Sequence, residues 1–372
     1  MSLVSRAHKI EIKPTKEQQF KMNRMFLQTQ ALKHWALELN QKMYQEWKED
    51  NSKPYPDYYT MDKVYTQLKP ECADLLPRST ADRCIRDVCT AVKNHLKNPE
   101  RFNLPSFTKK RDVEKYKIYI NNSHSYVRNN KIYFPRVGLI KLTESPRYQG
   151  KIMSYTFEWY ASKYWVSISY QFEQTAPTVS NSTVGIDVGL KHIAITSDGI
   201  TLDYPESAKK ALKRIKVQQK KLSCKKEGSH NYNKQLIKLQ RARLRRDNIL
   251  NDVNHKFTTA VCKTHTTVVI EDLHLADLCK DSPHYMRARF TESQMKKIHQ
   301  QLKYKAVRLV KADRYFASSK TCSHCGHKKE DLKLSDRTYT CNECGLSIDR
   351  DLNAALNLRN AVGTVSPDQI QF

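Results

Sequence analysis

The chain has 372 residues, too many for one ordinary core, and its 39% hydrophobic and 28% charged residues exclude a wholly disordered protein. Lys and Arg number 65 against 38 Asp and Glu, and the resulting +27 points to a polyanionic partner, nucleic acid ahead of an anionic membrane. No apolar run nears the ~18 residues of a membrane span, and the first residues lack the apolar core of a secretion signal, so a cytoplasmic protein with no membrane partner is expected.

Residues 8–13 alternate apolar and polar as a half-buried strand does, and Pro14 ends them. Thr15-Lys-Glu-Gln18 has capping-box spacing. From Phe20 to Trp47 the residues Phe20, Leu27, Leu32, Trp35, Leu39 and Met43 recur at roughly helical spacing and predict a helix-bundle core, continued through Met61–Leu68 and Ala81–Leu96. From about residue 100 the runs Tyr116–Ile120, Tyr126–Val127, Lys131–Phe134, Met153–Trp159 and Tyr164–Tyr170 read as strands. Asn129-Asn130 and Ala161-Ser-Lys163 fall where hairpin turns belong. These runs and the first strand suggest a small β-barrel carrying the helical block as an insertion. Lys109-Lys-Arg111 and nearby tyrosines offer a basic, stackable surface. The polar stretch 173–183 reads as a linker, and an α/β texture follows from Val184.

In that second half, acids sit where apolar strands end. Thr183-Val-Gly-Ile-Asp187 and Thr267-Val-Val-Ile-Glu271 are short apolar strands ending in a carboxylate, and Asp349-Arg-Asp351-Leu-Asn-Ala-Ala-Leu-Asn places two acids at the head of a helix. A buried carboxylate needs a partner, and several brought together repel unless a cation compensates. Mg²⁺ or Mn²⁺, hard ions preferring oxygen ligands, would do so. Asp349 or Asp351 could equally complement a helix N-terminus, and Asp198 and Asp272 read as loop acids.

Ten cysteines divide in two sets. Cys72, Cys84, Cys89, Cys224, Cys262 and Cys279 are scattered and read as plain thiols. Cys322-Ser-His-Cys325 and Cys341-Asn-Glu-Cys344 are paired knuckles 15 residues apart, the spacing of one structural Zn²⁺. The stretch Lys328–Thr340 between them contains alternating residues able to form a hairpin. His324 and His327 lie nearby but are not needed, because four thiolates complete a tetrahedral ion.

Residues 206–256 hold sixteen Lys and Arg against four acids, a local +12. Leu212, Ile215 and Leu222, then Leu236, Leu239 and Leu250, predict two helices broken at Glu227-Gly-Ser229. Like charges crowded on one helix face are destabilising, and phosphates relieve them. Arg241, Arg243, Arg245 and Arg246 are therefore the expected nucleic-acid contacts.

Gly185-Ile-Asp187-Val-Gly-Leu-Lys, Ile270-Glu271-Asp-Leu, Ser318-Ser-Lys-Thr-Cys322-Ser-His-Cys325-Gly and Asp349-Arg-Asp351-Leu-Asn-Ala-Ala-Leu-Asn resemble the motifs of the TnpB family. These are insertion-sequence-encoded, RNA-guided DNA nucleases ancestral to type V CRISPR effectors. The resemblance is dense over residues 184–358 and looser before them. It implies an α/β RNase H-like (RuvC-type) nuclease domain in two parts, 184–316 and 349–372, split by a zinc-binding insertion at 317–348. Ahead of it would stand a wedge-like β-barrel, 1–14 with 100–172, a helical recognition-like insertion at 15–99, and the linker 173–183. By motif position the family's catalytic, Mg²⁺-binding acids fall on Asp187, Glu271 and Asp351, with Asp349 the neighbour to be distinguished. The implied activity is guide-RNA-directed cleavage of target DNA beside a short flanking motif, at the nucleoid of a prokaryote. Two alternatives remain at this point: a guide-bound repressor that does not cut, and a guide-free nuclease or resolvase.

Overall fold

The computed structural model describes residues 2–107, 116–122, 125–174, 182–273, 275–280, 282–313, 316–333, 336–361 and 370–371. The basic run at 109–111 and most of the expected linker lie outside them. The chain divides into two compact units, Met1–Thr175 with Glu227–Asn233, and Ala176–Lys226 with Lys234–Phe372. No helix among the described residues is long and apolar enough to cross a membrane.

The first unit begins with β1 (Ser2–Lys13), passes through α1 (Lys16–Glu49), α2 (Tyr58–Leu68) and α3 (Arg78–Lys97), and returns to strands. These are β2 (Tyr116–Asn121), β3 (Val127–Arg128), β4 (Lys131–Phe134), β5 (Gly138–Leu142), β6 (Lys151–Tyr160) and β7 (Lys163–Gln174). They form one antiparallel sheet in the order β2-β6-β7-β1-β5-β4-β3. The helical block is thus inserted between two strands of one sheet. That sheet is curled but open: among the described residues nothing pairs β2 with β3. With only two residues in β3 and four in β4, this edge is too short to carry a closing ladder.

Local chemistry accounts for these elements. Thr15 caps α1 reciprocally, its backbone N–H donating to Gln18 Oε1 at 3.0 Å and its Oγ1 accepting from Gln18 N at 3.3 Å. Asn129 and Asn130 both take positive φ, as do Ala161 and Ser162, so each pair makes the two-residue turn that a right-twisted hairpin needs. Ile10 and Ile12 on β1, Phe157 on β6 and Ile168 on β7 bury one face of the sheet against Met22, Met25, Phe26 and Leu32 of α1. Phe20 and Leu27, expected in that core, are exposed. The stripe that packs is Met22, Met25, Thr29, Leu32 and Ala36, and Phe20 and Leu27 fall off it.

The second unit contains β8 (Thr183–Asp187), β9 (Ala194–Thr196), β10 (Thr201–Leu202), α4 (Glu206–Ser223), α5 (His230–Thr264) and β11 (Thr267–Glu271). It continues with α6 (Leu275–Lys280), α7 (His284–Glu292), α8 (Met295–Lys305), β12 (Arg308–Ala312), β13 (Thr338–Thr340), β14 (Ser347–Asp349), α9 (Arg350–Asn360) and β15 (Ile370–Gln371). Its main sheet runs β10-β9-β8-β11-β12-β15. The three central strands β8, β11 and β12 are parallel, and β9, β10 and β15 are antiparallel to their neighbours. Val184, Ile186, Val268, Ile270 and Leu309 are buried with Ile298 and Leu302 of α8, as strands covered by helices require. Residues 334–335, in the middle of the stretch able to form a hairpin, lie outside the described residues; its last three residues form β13, which pairs with β14 beyond the second cysteine knuckle.

Candidate active site and metal centre

Strand register places the first two acids together. β8 and β11 pair in parallel as Thr183 with Thr267 through Ile186 with Ile270. Asp187 and Glu271 are the next residue on each strand, so they end adjacent strands that lie ~4.8 Å apart. The third acid arrives by helix packing. Gly185 faces α9, and a Cβ built there would stand 2.0 Å from Ala355 O and 2.5 Å from Arg359 N. Only a residue without a side chain admits the helix this closely, and that approach carries the N-terminal turn of α9, with Asp351, up to Asp187.

The electrostatics record the convergence. The Asp187 carboxyl is pushed up to about 7, first by burial, then by the Asp351 and Glu271 carboxylates, with the Arg350 guanidinium and the Val188 N–H pulling it back. Burial likewise raises Glu271. Arg350 Nε lies 3.5 Å from Asp351 Oδ1, both side chains well covered. Asp349 does different work: its Oδ1 accepts from Asp351 N at 2.9 Å and Leu352 N at 3.1 Å, capping α9. The two loop acids are held elsewhere, Asp272 by Lys311 Nζ at 3.0 Å and Asp198 by His265 Nε2 at 2.9 Å. Asp187 feels the charge of both other acids, whose oxygens are less closely gathered than the sulfurs of the paired cysteines. A hard divalent cation would compensate that charge.

Two asparagines of α9, which the sequence offers only as part of a motif, tie the helix to the chain ahead of it. Asn353 Oδ1 accepts from Ser323 N at 2.9 Å while its Nδ2 donates to Thr321 O at 2.7 Å. Asn357 Nδ2 donates to Ser318 O at 2.8 Å and to Thr321 O at 2.6 Å. The helix that brings Asp351 thus also stitches down the segment leading to the first cysteine knuckle. Their signal is the i, i+4 spacing, which puts two amides on one buried helix face.

The four cysteines form the only closely gathered set of three or more metal-ligating side chains among the described residues, their Sγ atoms all within 4.8 Å of one another. The knuckles are built alike: Gly326 N donates to Cys322 O at 3.0 Å, and Gly345 N to Cys341 O at 3.2 Å. Both glycines take positive φ, at +76° and +72°, which lets the chain turn under each pair. Tyr339 is fully buried with Cys322 and Cys341. His324 is exposed and outside the cluster. Four thiolates at this spacing fit zinc.

The expected basic contacts separate. Arg241 and Arg245 line a groove of about 480 Å³ between α4 and α5, together with Arg214, Lys221 and Lys238 and with no acid. Gln235 Nε2 donates to Gln218 Oε1 at 2.8 Å across it. Arg243 is half-buried and not part of that lining. Arg246 is also absent from it and donates from Nη2 to Glu292 O at 3.1 Å.

Comparison with known proteins follows the same division. The IS605 OrfB family model, described as a probable transposase, matches residues 167–281, and the Cas12f1-like TNB domain model matches 296–358. A relative named "Putative RNA-guided DNA endonuclease InsQ", from Escherichia coli K12, is 28% identical over 301 residues, covering 76% of this chain and 74% of its own. A "Putative RNA-guided DNA endonuclease" of Streptomyces pristinaespiralis is 32% identical over 202 residues, covering 53% of this chain and 50% of its own. Among solved structures, Cas12f1 in complex with sgRNA and target DNA is similar over 96% of this chain and 99% of its own, with a TM-score of 0.58 at 15% identity, which establishes likeness of fold. The chain is thus similar to IS605 OrfB proteins over residues 167–281 and to the Cas12f1-like TNB domain over residues 296–358, the stretches that carry the motifs resembling the TnpB family.

Proposed function

We propose that this chain is an RNA-guided, Mg²⁺-dependent DNA endonuclease, with Asp187, Glu271 and Asp351 as its metal-binding catalytic acids. The observation that supports the reading is that two acids end adjacent parallel strands, while a helix packed on Gly185 brings Asp351 near enough to raise the pKa of Asp187. The strand order, with three parallel central strands and an antiparallel flank, agrees with an RNase H-like domain of RuvC type. The names of the relatives supply the guide RNA and DNA target. The first unit would serve as wedge and recognition region, and the workplace would be the cytoplasm, at the nucleoid of a prokaryote.

When bound, Mg²⁺ supplies an activated water and charge stabilisation at a phosphodiester. The chain's own part is to hold three deprotonated carboxylates in place. Arg350 favours the charged form of Asp187, and the Asp349 cap fixes the helix end that bears Asp351. One Zn²⁺ on the four cysteines would brace the insertion that α9 grips through Asn353 and Asn357.

The test begins with the RNA that copurifies with the protein: it is sequenced, and a plasmid matching its variable end is offered with and without Mg²⁺. Cleavage of the matched plasmid alone, lost with EDTA and in Asp187→Ala, is the expected result. Binding of the matched DNA with no cut under any divalent ion would establish the repressor instead.

A further inference from the structure

We infer that a second cavity of the nuclease unit, lined by Tyr204, Arg246 and Arg289, holds a backbone phosphate of the DNA strand being cut. This rests on the endonuclease reading above. The cavity measures about 210 Å³ and is walled also by Leu190, Leu212 and Glu292. Small-molecule sites usually span ~300–1,000 Å³, so this one suits a single group of a polymer rather than a free nucleotide.

Its cations are arranged for an anion. Arg246 enters from α5 and is tethered by one nitrogen, Nη2, to the Glu292 carbonyl. Its Nε is buried and has no hydrogen-bond partner among the described residues. A buried charged donor left unmet is costly, and an acceptor in the cavity removes the cost. Arg289 comes from α7 and Lys209 from α4, where Glu206 already takes one of its hydrogen bonds at 2.8 Å, and the lining holds the single acid Glu292. Tyr204 adds a hydroxyl that stays protonated at neutral pH, because burial raises its pKa although Arg246 opposes this. A phosphate accepts from all of these donors, while the two leucines suit the apolar edge of a sugar.

Position selects the strand. Leu190 lies three residues beyond Asp187, on the loop leaving β8, so the cavity borders the loop at the sheet end that carries the acids. A strand drawn across those acids passes it.

The experiment uses protein purified with its RNA and matched DNA in which single phosphates near the cut are replaced by neutral methylphosphonates. At one or two positions the substitution should raise KM about tenfold for the unsubstituted protein. Arg246→Gln and Arg289→Gln should each raise KM about tenfold on ordinary DNA, and the methylphosphonate at that position should then add little. Tyr204→Phe, which keeps the ring, should raise KM about threefold. Fully additive effects of every methylphosphonate with both arginine variants would overturn the inference. So would loss of the copurifying RNA from those variants, which would make the occupant guide rather than target. Failure of the unsubstituted protein to cut any matched DNA would overturn the endonuclease reading itself, and the inference with it.

Discussion

Gly185 and Ala355 touch backbone to backbone: a methyl group on the glycine would sit 2.0 Å from the alanine carbonyl oxygen. This contact sets how near α9 comes to β8, and therefore how near Asp351 comes to Asp187. Gly185→Ala should force the helix outward, at a cost of ~1–3 kcal/mol or more for overpacking against rigid backbone. Lower thermal stability and loss of cleavage are expected, with zinc content unchanged. A variant that melts and cuts like the parent would show that the helix does not need this approach.

The two acids at the head of α9 should separate by kind of effect. Asp351→Ala, like Asp187→Ala and Glu271→Ala, should abolish cleavage while leaving guide-dependent DNA binding, and combining two of them should add little. Asp349→Ala should cost ~1 kcal/mol through removal of the cap, reduce cleavage less, and be rescued by Asp349→Ser, which can still cap. Melting curves and single-turnover cleavage on the same set of variants decide it. Equal loss at both positions, unrescued by Ser, would make Asp349 a ligand.

Asp187 predicts a pH dependence. Without divalent ions its carboxyl titrates at about 7 in the folded chain, against an ordinary 3.8. Between those values the folded state holds a proton that the unfolded state has released, so this group's contribution to stability falls as pH rises from about 4 to 7. His299 runs the other way, because burial lowers it to about 4 and stability from that source rises over about 4 to 6.5. The comparison is therefore with Asp187→Asn, whose melting temperature should fall less over pH 5–7.5. Mg²⁺ should stabilise the parent more at pH 7.5 than at pH 5, and the variant hardly at all. Parallel curves for the two proteins, with and without Mg²⁺, would refute the shift.

Elemental analysis should find about one zinc per chain. Cys341→Ser should lower that content and destabilise the insertion, and with it the segment that Asn353 and Asn357 hold. Zinc-free protein that cleaves at the full rate would sink the structural assignment.

The α4–α5 groove should account for much of the salt dependence. Replacing Arg214, Lys238, Arg241 and Arg245 by Gln should flatten the slope of log affinity against log salt by about 0.7–0.9 for each phosphate that is no longer neutralised. Arg243→Gln, outside the groove, should change it little. An unaltered slope in the fourfold variant would mean a merely solvated face.

Period and spacing alone determined a good deal of this protein. Alternation marked β1, apolar runs ending in acids marked β8 and β11, and two knuckles 15 residues apart marked the zinc set. Each of these is a local property, carried by residues within a few positions of one another. Tertiary structure decided what local pattern leaves degenerate. Asp349 and Asp351 are chemically alike and only the motif resemblance favoured Asp351; the helix packed on Gly185 turned Asp349 to the cap and brought Asp351 near Asp187. Arg241, Arg245 and Arg246 are a single basic run, yet the 100° step of a helix sends the first two to one groove and the third to another cavity. Phe20 has a core residue's chemistry and an exposed position, because which stripe of α1 is buried depends on where the sheet lies. The short β15 was invisible for the same reason: it is a strand only because β12 offers it an edge, and two residues carry no period of their own.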